Sequence, residues 1–152
     1  MDSCQLVVFT LGVEEYAVNI CHAQEIIRIP KLTKIPNVPT FIEGVFNLRG
    51  SVIPVFNLKK RFGFQESERG TDSRLLILEL EGMKLGITVD DISEVLRIDE
   101  SPMDNFSDEI VTLNKNTIQG ISIVGERIII VLNALKLKSE IFKYNLDEEI
   151  AV

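Results

Sequence analysis

The segment FIEGVFNLRGSVIPVFNL, Phe41 to Leu58, reads as two apolar strands around a bend, with Arg49 and Gly50 at the turn. A second segment, TIQGISIVGERIIIVLNA, Thr117 to Ala134, aligns with it at an offset of 76 residues without a gap. Ile42 meets Ile118, Gly44 meets Gly120, Ile53 meets Ile129, Val55 meets Val131 and Asn57 meets Asn133. Upstream, Leu6–Ile29 aligns with Leu75–Ile98 at an offset of 69 residues, again ungapped, and brings Glu25, Arg28 and Ile29 onto Glu94, Arg97 and Ile98. Two ungapped blocks in the same order read as a tandem duplication, and the strand-rich pattern makes each unit a small β body.

The first unit is expected to hold strands near Gln5–Leu11, Tyr16–Asn19, Leu32–Ile35, Gly44–Leu48 and Val52–Val55, with a short helix at His22–Ile27. The second repeats this near Leu75–Leu80, Leu85–Val89, Arg97–Asp99, Ile118–Val124 and Arg127–Leu132, with a helix at Asp91–Leu96 capped by Asp90. Short, evenly spaced strands predict a mainly β protein of two small barrels. The subdomains fall at roughly residues 5–64 and 74–135, parted by the polar run QESERGTDS, and duplicated barrels can exchange a terminal strand. The tail, residues 133–150, has helical apolar spacing and reads as a C-terminal helix packed on its own domain.

Composition narrows the function classes. A net charge of −7 argues against nucleic acid, which demands a basic stripe, and against an anionic membrane surface as the main partner. The start of the chain carries no signal peptide or membrane span, and it reads as complete. Cys4 and Cys21 make neither a disulfide framework nor a zinc site and fit a reducing compartment.

Chemistry is hard to find. His22 is the single histidine and adjoins Cys21, but sequence neighbours on a helix do not face each other. No catalytic triad, metal-ligand set or phosphate loop can be assembled, so the expectation is no catalysis, no metal and no cofactor. That points to a protein whose work is binding.

Arg49 is the residue the duplication leaves unexplained. Its counterpart is Gly125, and Gly50 falls on Glu126, so the turn asks for a glycine but not for an arginine. On this reading the fold does not account for Arg49, which becomes an anchor offered to a partner.

FTLGVEEYAVNI, QEIIRI, IPNVPTFIEGVFNLRGSVIPVFNLKKRFG, VDDISEVLRI and GERIIIVLNALKL, in this order, resemble the CheW family of chemotaxis coupling proteins over Leu6–Leu137. The resemblance implies two tandem five-stranded SH3-like β-barrels with a shared core, short helices and a C-terminal helix. It implies a cytoplasmic, non-enzymatic adaptor, monomeric in isolation, between chemoreceptor tips and the regulatory domain of the histidine kinase CheA. It carries the receptor-binding arginine to Arg49, the glycine opening the same block to Gly44 and the glutamate of the QEI step to Glu25. Where the family usually has valine two residues before that glutamate, Ala23 stands here, and the aspartate after VIPV is Asn57. No residue is assigned to the kinase. The other readings are a CheW-like module cut from a larger chemotaxis protein and, in a different class, a small-ligand-binding barrel.

Overall fold

Strand β1, Ser3–Leu11, sends alternate side chains into two different cores. Val7, Phe9 and Leu11 enter a large cluster shared by both sheets, while Leu6 and Val8 point into a smaller cluster with Ala17, Ile129 and Val131. Strand β6, Arg74–Leu80, does the same: Leu76, Leu78 and Leu80 join the shared core, and Leu75 and Ile77 pack with Phe46, Ile53 and Val55. A strand apolar on both faces must be covered on both faces. That requirement organises the fold.

The computed structural model describes residues 3–64, 70–99, 103–104 and 117–142. After β1 come β2 (Glu14–Asn19), a 3₁₀ turn (Ile20–His22), β3 (Ala23–Ile27), β4 (Ile42–Leu48), β5 (Ser51–Asn57) and α1 (Leu58–Arg61). After β6 come β7 (Met83–Val89), β8 (Asp91–Asp99), β9 (Met103–Asp104), β10 (Ile118–Val124), β11 (Arg127–Leu132) and α2 (Ala134–Phe142).

One sheet has the order β3-β6-β7-β5-β4, and the other β8-β1-β2-β11-β10-β9. Neighbours are antiparallel except β5 with β7 and β11 with β2, which run parallel. The sheets therefore differ from the contiguous subdomains 5–64 and 74–135 expected from sequence. Each takes its central hairpin from the opposite half of the chain: β6–β7 sits between β3 and β5, and β1–β2 between β8 and β11. Applying the repeat offsets to the first order gives the second without β9. More than a terminal strand is exchanged, because the two-faced β1 and β6 each need one face inside a sheet and one between sheets. Among the described residues neither sheet pairs its edge strands with each other, so neither closes into a complete barrel.

The two short helices predicted at His22–Ile27 and Asp91–Leu96 are strands β3 and β8, apart from the 3₁₀ turn at Ile20–His22. Six residues nucleate a helix poorly, whereas the free backbone edges of β6 and β1 supply ready hydrogen-bond partners. Asp90 consequently caps no helix. Its carboxylate accepts from the Gly12 amide at 2.6 Å and pairs with Lys59 at 3.1 Å, tying the β1–β2 turn to α1. The strand expected at Leu32–Ile35 reduces to a single bridge between Thr33 and Val45.

Asn57 and Asn133, matched in the repeat, share one duty. Each side chain accepts a backbone N–H at the start of the following helix, from Lys60 at 3.1 Å and Lys136 at 3.3 Å. The predicted tail helix is observed over Ala134–Phe142, with Leu137 in the shared core. Its predicted remainder to residue 150, and most of the QESERGTDS run, lie outside the described residues.

Candidate partner-binding site

The β4–β5 hairpin turns through Arg49 and Gly50 with φ of +49° and +88°. Two successive positive φ angles make this a type I′ turn, whose twist matches the flanking strands. Asn47 supports it by accepting the Gly50 amide at 2.9 Å. The second position carries glycine without cost. The first holds an arginine in the left-handed region, which costs an L-residue about 1 kcal/mol or more. The hairpin β10–β11 has glycine at the equivalent place, Gly125, φ +65°.

The side chain of Arg49 is 66% exposed and reaches to Glu25 on β3. Nη2 lies 2.9 Å from Oε1 and 2.8 Å from Oε2. No described residue accepts a hydrogen bond from Nη1 or Nε. β3 and the β4–β5 hairpin occupy opposite ends of their sheet order, so the ion pair spans the open seam of the barrel.

The second sheet has the same device built from another residue. Arg127, two residues beyond Gly125, places Nη2 2.6 Å from Glu94 and 2.8 Å from Glu15, with Nε 3.0 Å from Glu15. Glu94 is the repeat counterpart of Glu25. These charged hydrogen bonds, to Glu15 first and then Glu94, raise the guanidinium's proton affinity above its usual value. Arg49 thus lacks a counterpart in position but has one in role. The fold does account in part for Arg49, against the expectation from the repeat alone.

Gly44 is buried, with φ +145°, at a register shift in the β4–β5 ladder. A Cβ there would collide with the carbonyl oxygen of Thr33. That carbonyl accepts from the Val45 amide and the Thr33 amide donates to the Val45 carbonyl, each at 2.9 Å, which docks the 30–40 loop on β4. Ala23 is half-buried against the shared core. The structure brings Arg49 and Glu25 into contact; Gly44 instead holds the 30–40 loop against β4.

Sequence reasoning missed four exposed apolar side chains, one on each of β3, β5, β8 and β11. Ile26 and Val52 are 47% and 45% exposed, and their repeat counterparts Val95 and Ile128 are 52% and 54% exposed. The signal was present in the offsets, which place apolar residues at both pairs of outward positions. Among the described residues no group of three or more His, Cys, Asp or Glu could hold a metal, and no helix is long and apolar enough to cross a membrane.

Comparison with known proteins matches residues 5–142 to a family model described as the CheW-like domain. The chain is 36% identical over 142 residues to the chemotaxis protein CheW of Treponema pallidum, covering 91% of this chain and 84% of that one. It is 34% identical over 135 residues to the CheW of Klebsiella aerogenes, covering 89% and 81%. The crystal structure of the scaffolding protein TtCheW from Thermoanaerobacter tengcongensis superposes with a TM-score of 0.79 at 38% identity, covering 88% of this chain and 86% of that one.

Proposed function

This chain belongs to the CheW-like family of chemotaxis adaptors, and we propose that it couples chemoreceptor tips to the regulatory domain of the histidine kinase CheA, in the cytoplasm and without catalysis of its own. The observation that carries the receptor half is the Arg49 guanidinium. It stands at a backbone position that favours glycine, is aimed by Glu25, and is left with Nη1 and Nε as donors. A receptor tip is a helical hairpin, so the expected contact is a helix laid along the β4–β5 turn with Arg49 as its polar anchor. Glu25 keeps the guanidinium oriented before binding, which reduces the ordering cost of the complex. Gly44 acts indirectly, by letting the 30–40 loop dock on the strand that carries the hairpin, and Ala23 by packing β3 against the shared core.

The kinase half rests on the duplicated apolar positions. Val95 and Ile128 repeat Ile26 and Val52 on the other sheet, so the chain offers two related but unequal faces. Unequal faces permit head-to-tail contacts with modules of the same fold. The test is capture from purified components: the chain, a receptor cytoplasmic fragment and the kinase. A ternary complex is expected, with Arg49→Ala selectively losing the receptor and Ile128→Glu selectively losing the kinase. Recovery of neither partner by the unaltered chain would overturn the reading.

A further inference from the structure

Charge is distributed unevenly along this acidic chain. Between Arg28 and Phe64 stand seven cations and a single carboxylate, Glu43, while the whole chain carries −7. Part of this positive charge collects around a groove of about 570 Å³ between the 30–40 loop and the start of α1. Leu32, Ile35 and Val38 give the groove apolar walls, and three cations, Lys31, Lys34 and Lys60, stand at it with one carboxylate, Glu43. Lys60 pairs with Glu43 at 3.8 Å. Lys31 and Lys34 are exposed, and no described residue forms an ion pair with either. Arg28, three residues before Lys31, is exposed in the same segment.

The groove opens beside the first residues of β4, at the end of that strand remote from Arg49. It is therefore separate from the receptor surface proposed above. Its shape also matters: a recess with apolar walls and a cationic rim suits an extended chain carrying an apolar side chain between carboxylates. A flat anionic bilayer would meet the lysines but leave the recess empty.

We propose that this groove is a second docking surface, which takes an acidic peptide segment of a protein partner with an apolar residue as its anchor. The loop that forms it is fixed rather than free, since Thr33 is bonded at both N–H and C=O to Val45. A preformed recess of this kind binds without first ordering its own backbone.

The probe is a fluorescein-labelled synthetic decapeptide of alternating glutamate and leucine, titrated with the full chain and read by anisotropy. Saturable binding is expected, weakening with added salt as rim charges are screened. The double variant Lys31→Glu with Lys34→Glu should weaken binding by about ten-fold or more and flatten the salt dependence. Lys31→Gln with Lys34→Gln, a milder change for folding, should fall between. Lys84→Glu with Lys136→Glu, which alters the same number of charges elsewhere, should stay within about two-fold of the unaltered chain. Equal affinity for the Lys31/Lys34 and Lys84/Lys136 variants would overturn the proposal. So would cosedimentation with phosphatidylserine vesicles accompanied by no peptide binding.

Discussion

Arg49 and Glu25 join the two ends of a five-stranded sheet through one guanidinium nitrogen, Nη2, which contacts both carboxylate oxygens. The pair is largely solvent-facing, so its contribution to stability is small, about 0–1 kcal/mol. The left-handed backbone at Arg49 opposes it by a similar amount. The arginine is thus nearly neutral for folding.

Arg49→Ala should lower affinity for a receptor fragment by about 1–3 kcal/mol, measured by calorimetry, as truncation of an interface anchor does. Arg49→Gly separates binding from folding more cleanly. It should lose the same affinity while keeping stability within about 1 kcal/mol, because glycine relieves the positive φ as the ion pair is lost. A stability loss above about 2 kcal/mol in urea denaturation would make Arg49 a structural residue.

Two glycines of the same hairpin should respond differently to alanine. Gly44→Ala drives a Cβ against the Thr33 carbonyl and should cost more than about 2 kcal/mol, with loosening of the 30–40 loop seen by hydrogen exchange. Gly50→Ala meets nothing within 4 Å and should cost only about 1 kcal/mol, from its positive φ alone. Similar losses for both would show that close approach at Gly44 is unimportant.

The hydroxyl of Ser122 is fully buried and has no hydrogen-bond partner among the described residues. Its repeat counterpart is Phe46, which packs inside the other sheet. Ser122→Ala removes an unsatisfied polar group at little cost in volume and should raise stability by about 1 kcal/mol, observed as a higher urea midpoint. A fall in the midpoint would mean that the hydroxyl has a partner in solution.

Much of the fold was legible because the duplication supplied a second copy of every signal. Strands β1, β2, β4–β7, β10 and β11 follow their apolar patterns, and the turns follow Gly50 and Gly125. What failed did so for tertiary reasons. AQEII and DISEVLRID carry helix-tolerant residues, but the open edges of β6 and β1 made them strands. The hairpin exchange lies in pairing between distant residues, such as Val55 with Gly86, which no local pattern encodes. At the candidate site, Arg49 and Glu25 stood out in the sequence, but their contact did not. They are separated by 24 residues and by the curl of a sheet.

Tyr16 should make stability sensitive to alkali. Its ring stacks against Phe9 and Phe62 at 6.4 and 5.7 Å, and burial, aided by Glu14, raises its hydroxyl above the ordinary 10.0. The folded chain then holds this proton more tightly than the unfolded chain. The resulting stability is fully present below pH 10.0 and is lost as pH rises through the raised folded value. Urea denaturation in this alkaline range should show a declining stability, and Tyr16→Phe should decline less steeply. Identical slopes would remove Tyr16 from the effect.

The exchanged hairpins bear on how such a chain could arise. A polypeptide with only one unit could satisfy the same strand pairings as a swapped dimer, lending its first hairpin to a twin. Its stability would then rise and fall with its own concentration. Joining two units end to end makes the loan internal, so one polypeptide carries both lender and borrower. Two copies so joined can differ on their outer faces while each still completes the other.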